Sequence, residues 1–338
     1  AAGDPALAAA LLALLAAAAE AGEFAGAVLV LRDGRTLFEG AAGPADRERG
    51  VPNTPATRFR VGSMNKMLTA VATLQLVQAG ALRLDAPLGT YLPDYPNAEL
   101  ASRVTPHHLL THTGGTGDIF GPEFAARRLE LRTTADYLRL YGARALRFAP
   151  GTRWEYSNYG FLLLGALVER AGGGSYDDHV AARVLAPAGM TATGAAPEDS
   201  LVPGRSVGYT RQLVPGALVS NAPTLPYRGT PAGGGYSTVG DLARFAVALR
   251  EHRLLDPAHT ALLLAGKVDA GNGVRYAYGF FDRVVDGRRF VGHGGGAPGM
   301  NGDLAFEPGG GYVVVVLSNL DPPAATQMAS YVLARLPR

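Results

Sequence analysis

Ser63 and Lys66 stand three residues apart in Val61-Gly62-Ser63-Met64-Asn65-Lys66. On a helix, positions i and i+3 share a face, so this hydroxyl and this amine can meet. A serine hydroxyl is a weak nucleophile until a base takes its proton. A desolvated lysine can be that base, because unlike arginine it can lose a proton inside a protein. Composition adds weight: of 31 basic residues, only Lys66 and Lys267 are lysines. Lys267 has no serine three positions before it and reads as an ordinary surface lysine. Two further segments carry suitable polar groups. Tyr156-Ser157-Asn158 lies where a loop enters a helix; alone, it reads as an N-cap beside a packed aromatic. His293-Gly294-Gly295-Gly296 lies at the end of a strand; alone, it reads as a glycine-rich turn with a histidine.

In this order and at these separations, the three segments resemble the serine β-lactamase and penicillin-binding-protein superfamily. That family carries Ser-x-x-Lys, then Tyr-x-Asn or Ser-x-Asn, then a Lys/His-x-Gly triad on a strand. The likeness is greatest to the branch of class C β-lactamases, D-alanyl-D-alanine carboxypeptidases and family VIII carboxylesterases. Leu109-Leu110-Thr111-His112-Thr113-Gly114-Gly115, the Pro150-Gly151 lead-in and Ala232-Gly233-Gly234-Gly235-Tyr236-Ser237 are similar to the same branch. The resemblance implies that Ser63 attacks a carbonyl and forms a covalent acyl-enzyme. Lys66 and Tyr156 would act as a coupled base, with either able to take the proton. Both side chains are protonated at neutral pH at their reference values, near 10.4 and near 10. Burial would depress the lysine, and its ammonium would stabilise a tyrosinate. Tyr156 would then protonate the leaving group and later activate water. The resemblance places the oxyanion hole at the backbone N–H groups of Ser63 and Gly296. It gives Asn158 to Lys66 and the substrate carbonyl, and sets His293 and Gly295 on the substrate side.

The third motif departs from the β-lactamase pattern, which has lysine where this chain has His293. With a reference pKa near 6.5, a histidine is mostly neutral at pH 7 and is a poor anchor for a carboxylate. β-Lactams and D-Ala-D-Ala peptides carry that carboxylate; simple esters do not. The expected activity is therefore a carboxylesterase on small or short-chain esters. A D-alanyl-D-alanine carboxypeptidase, a D-aminopeptidase or a weak class C-like β-lactamase is the alternative. A non-catalytic penicillin-binding or peptidoglycan-interacting protein stands further off. No cofactor or metal is implied, and the partner is a small ester, amide or D-amino-acid peptide.

Elements must bring these segments together. Asp33-Gly34 between Ala27–Leu31 and Arg35–Gly40 reads as a two-residue hairpin turn. A helix from about Ser63 to Gln78 would face inward with Leu68, Val71, Leu74 and Val77. Thr105-Pro106 reads as N-cap and N1 of a short helix, Asn158 to Ala171 as another, and Thr238–Asp241 as capping-box spacing for a third through Leu249. Arg289–His293, Asn301–Glu307 and Tyr312–Ser318 read as strands, Val313–Val316 as a fully buried one. Ala324–Leu336 reads as a closing helix. The expected fold class is α/β (α+β), β-lactamase-like: an antiparallel sheet built from both termini and flanked by helices. Residues 1–84 and 232–338 would form this domain, and 85–231 a mainly helical insertion.

Other readings are weaker. A net charge of +2 with dispersed arginines offers no basic stripe for nucleic acid, and zero cysteines remove disulfides and thiol chemistry. Pro5–Ala19 is apolar but short for a membrane span, and Asp4 replaces the basic start of a signal peptide. The start at Ala1 without methionine slightly favours a periplasmic or secreted location. His108 and His112 have zinc-pair spacing without the usual glutamate. Gly294-x-Gly296-x-x-Gly299 matches a dinucleotide fingerprint by letter but leads into a strand. Gly204-Arg205-Ser206-Val207-Gly208 matches a nucleophile elbow but lacks the strand and helix that an elbow requires. Phe120, Trp154, Tyr209 and Tyr227 are candidate pocket walls.

Overall fold

The computed structural model describes residues 5–337. Asp33 and Gly34 both take positive φ, 50° and 77°, as a two-residue hairpin turn that follows strand twist demands. They join β1 (Gly26–Arg32) to β2 (Arg35–Ala42). The far end of the chain supplies β3 (Val268–Gly271), β4 (Val274–Tyr276), β5 (Phe281–Val285), β6 (Arg288–Ala297), β7 (Met300–Phe306) and β8 (Tyr312–Ser318). All eight form one antiparallel sheet in the order β2-β1-β8-β7-β6-β5-β4-β3. The termini meet at β1 and β8, with Gly26 opposite Ser318 and Arg32 opposite Tyr312.

Strand β8 is buried on both faces because successive side chains point to opposite sides of a sheet. Val313, Val315 and Leu317 enter one core, which includes α2 (Asn65–Gln78), α3 (Asn158–Gly172) and α4 (Val239–Arg250). Tyr312, Val314 and Val316 enter the other, with α1 (Pro5–Glu20) and α5 (Ala324–Leu333). Helix α1 buries Leu7, Leu11 and Leu15, a stripe of one residue per turn; Asp4 lies outside the described residues. No helix among the described residues is long and apolar enough to cross a membrane. Between the sheet strands, residues 85–231 hold α3 and several short helices, including Ala98–Arg103, Pro106–Leu110 and Thr134–Tyr141, with a ladder of Tyr209–Thr210 and Val219–Ser220.

Several details differ from the sequence reading. Helix α2 is buried almost all round, not on one stripe, as befits a helix enclosed within a core. Helix α5 stops at Leu333, although Leu336 still packs into the core. Thr238 caps α4 through Asp241 N, but the Asp241 carboxylate accepts from Ala192 N and Thr193 Oγ1 and pairs with Arg244, so no reciprocal box forms. Lys267 is not an ordinary surface lysine. Its Nζ donates to Leu262 O and Ala265 O at the end of the helix Pro257–Leu264, 4.2 Å over the Tyr278 ring. Most relevant to the site, β6 does not end at His293. It runs on through the glycines to Ala297, and the turn follows. A Cβ at Gly295 would stand 2.0 Å from Val61 O and 3.1 Å from Ser63 N. Glycine is required there for close approach of two backbones, not for a turn.

Candidate active site

Ser63 sits in a single 3-10 turn, Gly62–Met64, that runs directly into α2. Gly62 has φ 53°, and the β6 backbone presses on this turn. One helical turn later, Lys66 is 0% exposed. Its Nζ lies 3.2 Å from Ser63 Oγ, 2.7 Å from Asn158 Oδ1 and 2.5 Å from Ala232 O. Burial lowers the amine from its ordinary value to about 7, opposed by the negative charge of Asp118.

Two of the three partners of Lys66 can only accept. Asn158 Oδ1 and Ala232 O therefore each take an N–H. A neutral amine has two N–H bonds and one lone pair, so the lone pair is left facing the Ser63 hydroxyl. The geometry thus fits a neutral Lys66 that receives the Ser63 proton.

Tyr156 precedes Ser157, the N-cap of α3, whose Oγ accepts from Gly160 N at 2.9 Å. This places Tyr156 and Asn158 on either side of a fixed helix start. The Tyr156 phenol hydrogen-bonds to Ser63, and its ring centroid lies 4.7 Å from Lys66 Nζ. Burial raises the phenol above its ordinary range, with the Ser63 bond opposing. The pair therefore splits: the amine gives up its proton readily and the phenol keeps its own. A tyrosinate in the resting site, expected as half of a coupled base, is not what this environment favours.

His293 is placed differently from the expectation that it faces substrate. It is buried, with Nε2 3.0 Å from Tyr276 Oη and Nδ1 2.5 Å from Gly294 O. The hydrogen bonds fix every proton in a chain. Ser157 N–H donates to His112 Nδ1 at 3.1 Å, so His112 carries its proton on Nε2 and donates to Tyr276 Oη at 3.0 Å. Tyr276 then donates to His293 Nε2, and His293 Nδ1–H donates to the Gly294 carbonyl. Burial first, and Lys66 second, push His293 down to about 3 and His112 well below its usual value. Both rings therefore stay neutral above pH 5. Imidazole nitrogen shifts measured by NMR should be flat for both between pH 5 and pH 8; a titration of either in that window would disprove the chain. His112 is thus a link between the second and third motifs. His108, its would-be zinc partner, bonds Thr105 instead.

Ser63, Asn158 and Gly296 line one open cleft of about 350 Å³. Its walls include Ile119, Phe120, Phe124, Leu225, Pro226 and Met300. A Cβ at Gly62 would come 3.2 Å from Gly296 N, so the Ser63 turn and the Gly296 backbone lie side by side at this mouth. Of the candidate walls, Phe120 stands at the rim, 63% exposed. Trp154 packs on His112, Tyr156 and Tyr276; Tyr209 bonds Glu48; Tyr227 lies under Arg132. Ser206 is elsewhere, buried with its N–H on Arg58 O, and no helix follows it. Gly294 and Gly296 lie in a strand whose hairpin turn holds Gly299, not in a strand-to-helix loop.

Three contributors escaped the sequence reading. Ala232 acts through its carbonyl, which no side-chain pattern reports. Tyr276 sits alone on β4. Asp118 accepts from Asn158 N and Nδ2, both at 3.2 Å, across forty residues of chain with no spacing that signals it.

The fold agrees with known proteins. The family model described as Beta-lactamase matches residues 11–336. The chain is 34% identical over 296 residues to Esterase EstB of Burkholderia gladioli, covering 76% of this chain and 74% of that protein. It is 29% identical over 300 residues to the putative penicillin-binding protein PbpX of Bacillus subtilis, covering 88% and 71%. Among solved structures, a penicillin-binding protein from Bacillus halodurans superimposes with a TM-score of 0.85 at 33% identity, over 96% of this chain and 97% of that one. Sheet, motif order and these likenesses converge: the chain belongs to the beta-lactamase family, the serine β-lactamase and penicillin-binding-protein-like superfamily of hydrolases.

Proposed function

We propose that this chain is a carboxylesterase for small, uncharged esters, working through an acyl-enzyme on Ser63. The observation that carries the chemistry is the set of Lys66 partners: two obligate acceptors plus the Ser63 hydroxyl. Lys66 Nζ takes the Oγ proton as Oγ bonds to the carbonyl carbon. The oxyanion that forms is met by the N–H groups of Ser63 and Gly296. Collapse breaks the bond to the alcohol oxygen, which receives a proton from Lys66 by way of the Tyr156 hydroxyl. Water then enters along the reverse route, giving its proton to the Lys66–Tyr156 pair and releasing the acid.

Two features support the ester reading over a β-lactam or D-Ala-D-Ala peptide. The cleft beside Ser63 is walled mainly by apolar side chains, which suit an uncharged acyl group. His293, at the position of the family's lysine, is buried and neutral with both nitrogens engaged. It is not available to hold a carboxylate.

The test is turnover of p-nitrophenyl acetate and butyrate, nitrocefin and a D-Ala-D-Ala peptide by wild type, Ser63→Ala and Ser206→Ala. The esters should be the best substrates. Ser63→Ala should lose about 10³-fold or more in kcat, the scale for removing a nucleophile, and Ser206→Ala should match wild type. Full activity in Ser63→Ala would refute the acyl-enzyme assignment. Faster hydrolysis of nitrocefin or the peptide would refute the ester preference alone.

A further inference from the structure

Asn158, like Ser63, touches Lys66 and lines the cleft, so the way its amide points matters. Its Oδ1 accepts from Lys66 Nζ at 2.7 Å, and its Nδ2 donates to Asp118 Oδ2 at 3.2 Å. Turning the amide over would set its NH₂ against the amine and its oxygen against a carboxylate, two unfavourable contacts in place of two favourable ones. Asp118 also accepts from Asn158 N through Oδ1 at 3.2 Å, so one carboxylate grips both the amide and the backbone of the same residue.

The segment that carries Asp118 is itself held on both sides and at its own carbonyl. Ser157 Oγ donates to Gly117 O at 2.5 Å, Arg144 Nη1 to Asp118 O at 2.9 Å, and Tyr141 Oη to Ile119 O at 3.2 Å. Ile119 N–H donates to Asp118 Oδ1 at 2.7 Å. A carboxylate on so constrained a backbone can fix its partner's orientation.

We propose that Asp118 is a positioning residue of the acylation site, one that holds the Asn158 amide oxygen on Lys66 and places a negative charge two hydrogen bonds from the amine. The inference rests on the reading of Lys66 as the base for Ser63. The charge of Asp118 raises the proton affinity of Lys66, against the larger effect of burial. The other titratable groups that face Lys66 are Tyr156, whose phenol stays protonated, and the buried, neutral His112 and His293. Removing the carboxylate should therefore make Lys66 easier to deprotonate while leaving its geometry worse.

The experiment is the pH dependence of kcat and kcat/KM for p-nitrophenyl butyrate in Asp118→Asn, with folding checked by a cooperative thermal melt. The acid limb should move to lower pH by about one unit, the scale of one charge acting over several ångströms in a partly solvated site. At the plateau, kcat should fall roughly 10- to 100-fold with KM changed little, the scale of a lost charge-assisted hydrogen bond. Asp118→Glu should keep the wild-type limb. Asp118→Ser keeps an oxygen acceptor and carries the same prediction as Asp118→Asn should that variant not fold. An acid limb that stays put in the folded neutral variant overturns the proposal whatever its kcat, because loss of a helix-starting contact would slow turnover without moving the limb. Full turnover by Ser63→Ala would sink the underlying reading; an inactive Ser63→Ala with an unshifted Asp118→Asn sinks this inference alone.

Discussion

Lys66→Arg should leave a folded protein with almost no ester hydrolysis. Arginine keeps the positive charge and can satisfy acceptors such as Asn158 Oδ1 and Ala232 O, but it cannot release a proton. If the neutral amine is the base for Ser63, kcat should fall by about 10³-fold or more, as for other members of a concerted catalytic unit. The wild-type enzyme should show an acid limb near pH 7, since protonation below that value fills the lone pair that faces Ser63. Activity is therefore expected to rise with pH through 7, and in Lys66→Arg no limb should be measurable. Because Lys66 is wholly buried, a bulkier guanidinium could disturb packing. Lys66→Ala separates the two effects. It leaves Asn158 Oδ1 and Ala232 O without a donor, at about 1–3 kcal/mol each, yet makes room for a small exogenous amine. Partial rescue of Lys66→Ala by such an amine, with Lys66→Arg inactive, is the expected pair of results. An active Lys66→Arg would show that Lys66 serves only as a cation beside Tyr156.

Gly295→Ala should be nearly as damaging for a different reason. The added methyl would sit 2.0 Å from Val61 O and 3.1 Å from Ser63 N, and neither is the yielding tip of a flexible side chain. Strand β6 or the Ser63 turn must move apart. Overpacking of this kind costs about 1–3 kcal/mol in stability. Displacement near 1 Å at a reacting centre costs about 10²-fold in rate. The variant should melt several degrees lower and lose about two orders of magnitude in kcat. Gly309→Ala is the control: a Cβ there meets nothing within 4 Å, and its kinetics and melting should match wild type. A fully active Gly295→Ala would mean that Ser63 and β6 need not be in backbone contact.

Both predictions join one residue that the sequence marked to one that it did not explain. Ser63 and Lys66 were legible because their meeting depends only on helix geometry, and a helix is a local object. The same holds for the Asp33-Gly34 hairpin, the Ser157 and Thr105 caps, and the continuous Val313–Val316 run that marks β8 as buried on both faces. The order of Ser63, Tyr156 and His293 motifs along the chain then carried the family. Composition alone made Lys66 conspicuous, since lysine is so rare here.

What local pattern could not reveal depends on segments far apart in the chain. The glycines after His293 read as a turn because glycine usually signals one; they are strand because Val61 O lies against them. His293 was expected to meet substrate, but its direction is set by Tyr276, seventeen residues earlier on β4, and by the Gly294 carbonyl. Tyr156 was expected to share its proton; the burial that raises its phenol comes from segments distant in the chain. The roles of Ala232 and Asp118 exist only as contacts with Lys66 and Asn158. The sequence by itself determined which groups could react, because nucleophile, amine and helix phase are properties of neighbouring residues. Tertiary structure alone decided which groups are buried, how their hydrogen bonds run and what lines the cleft, because desolvation, hydrogen-bond direction and cavity shape arise only when distant segments exclude water together.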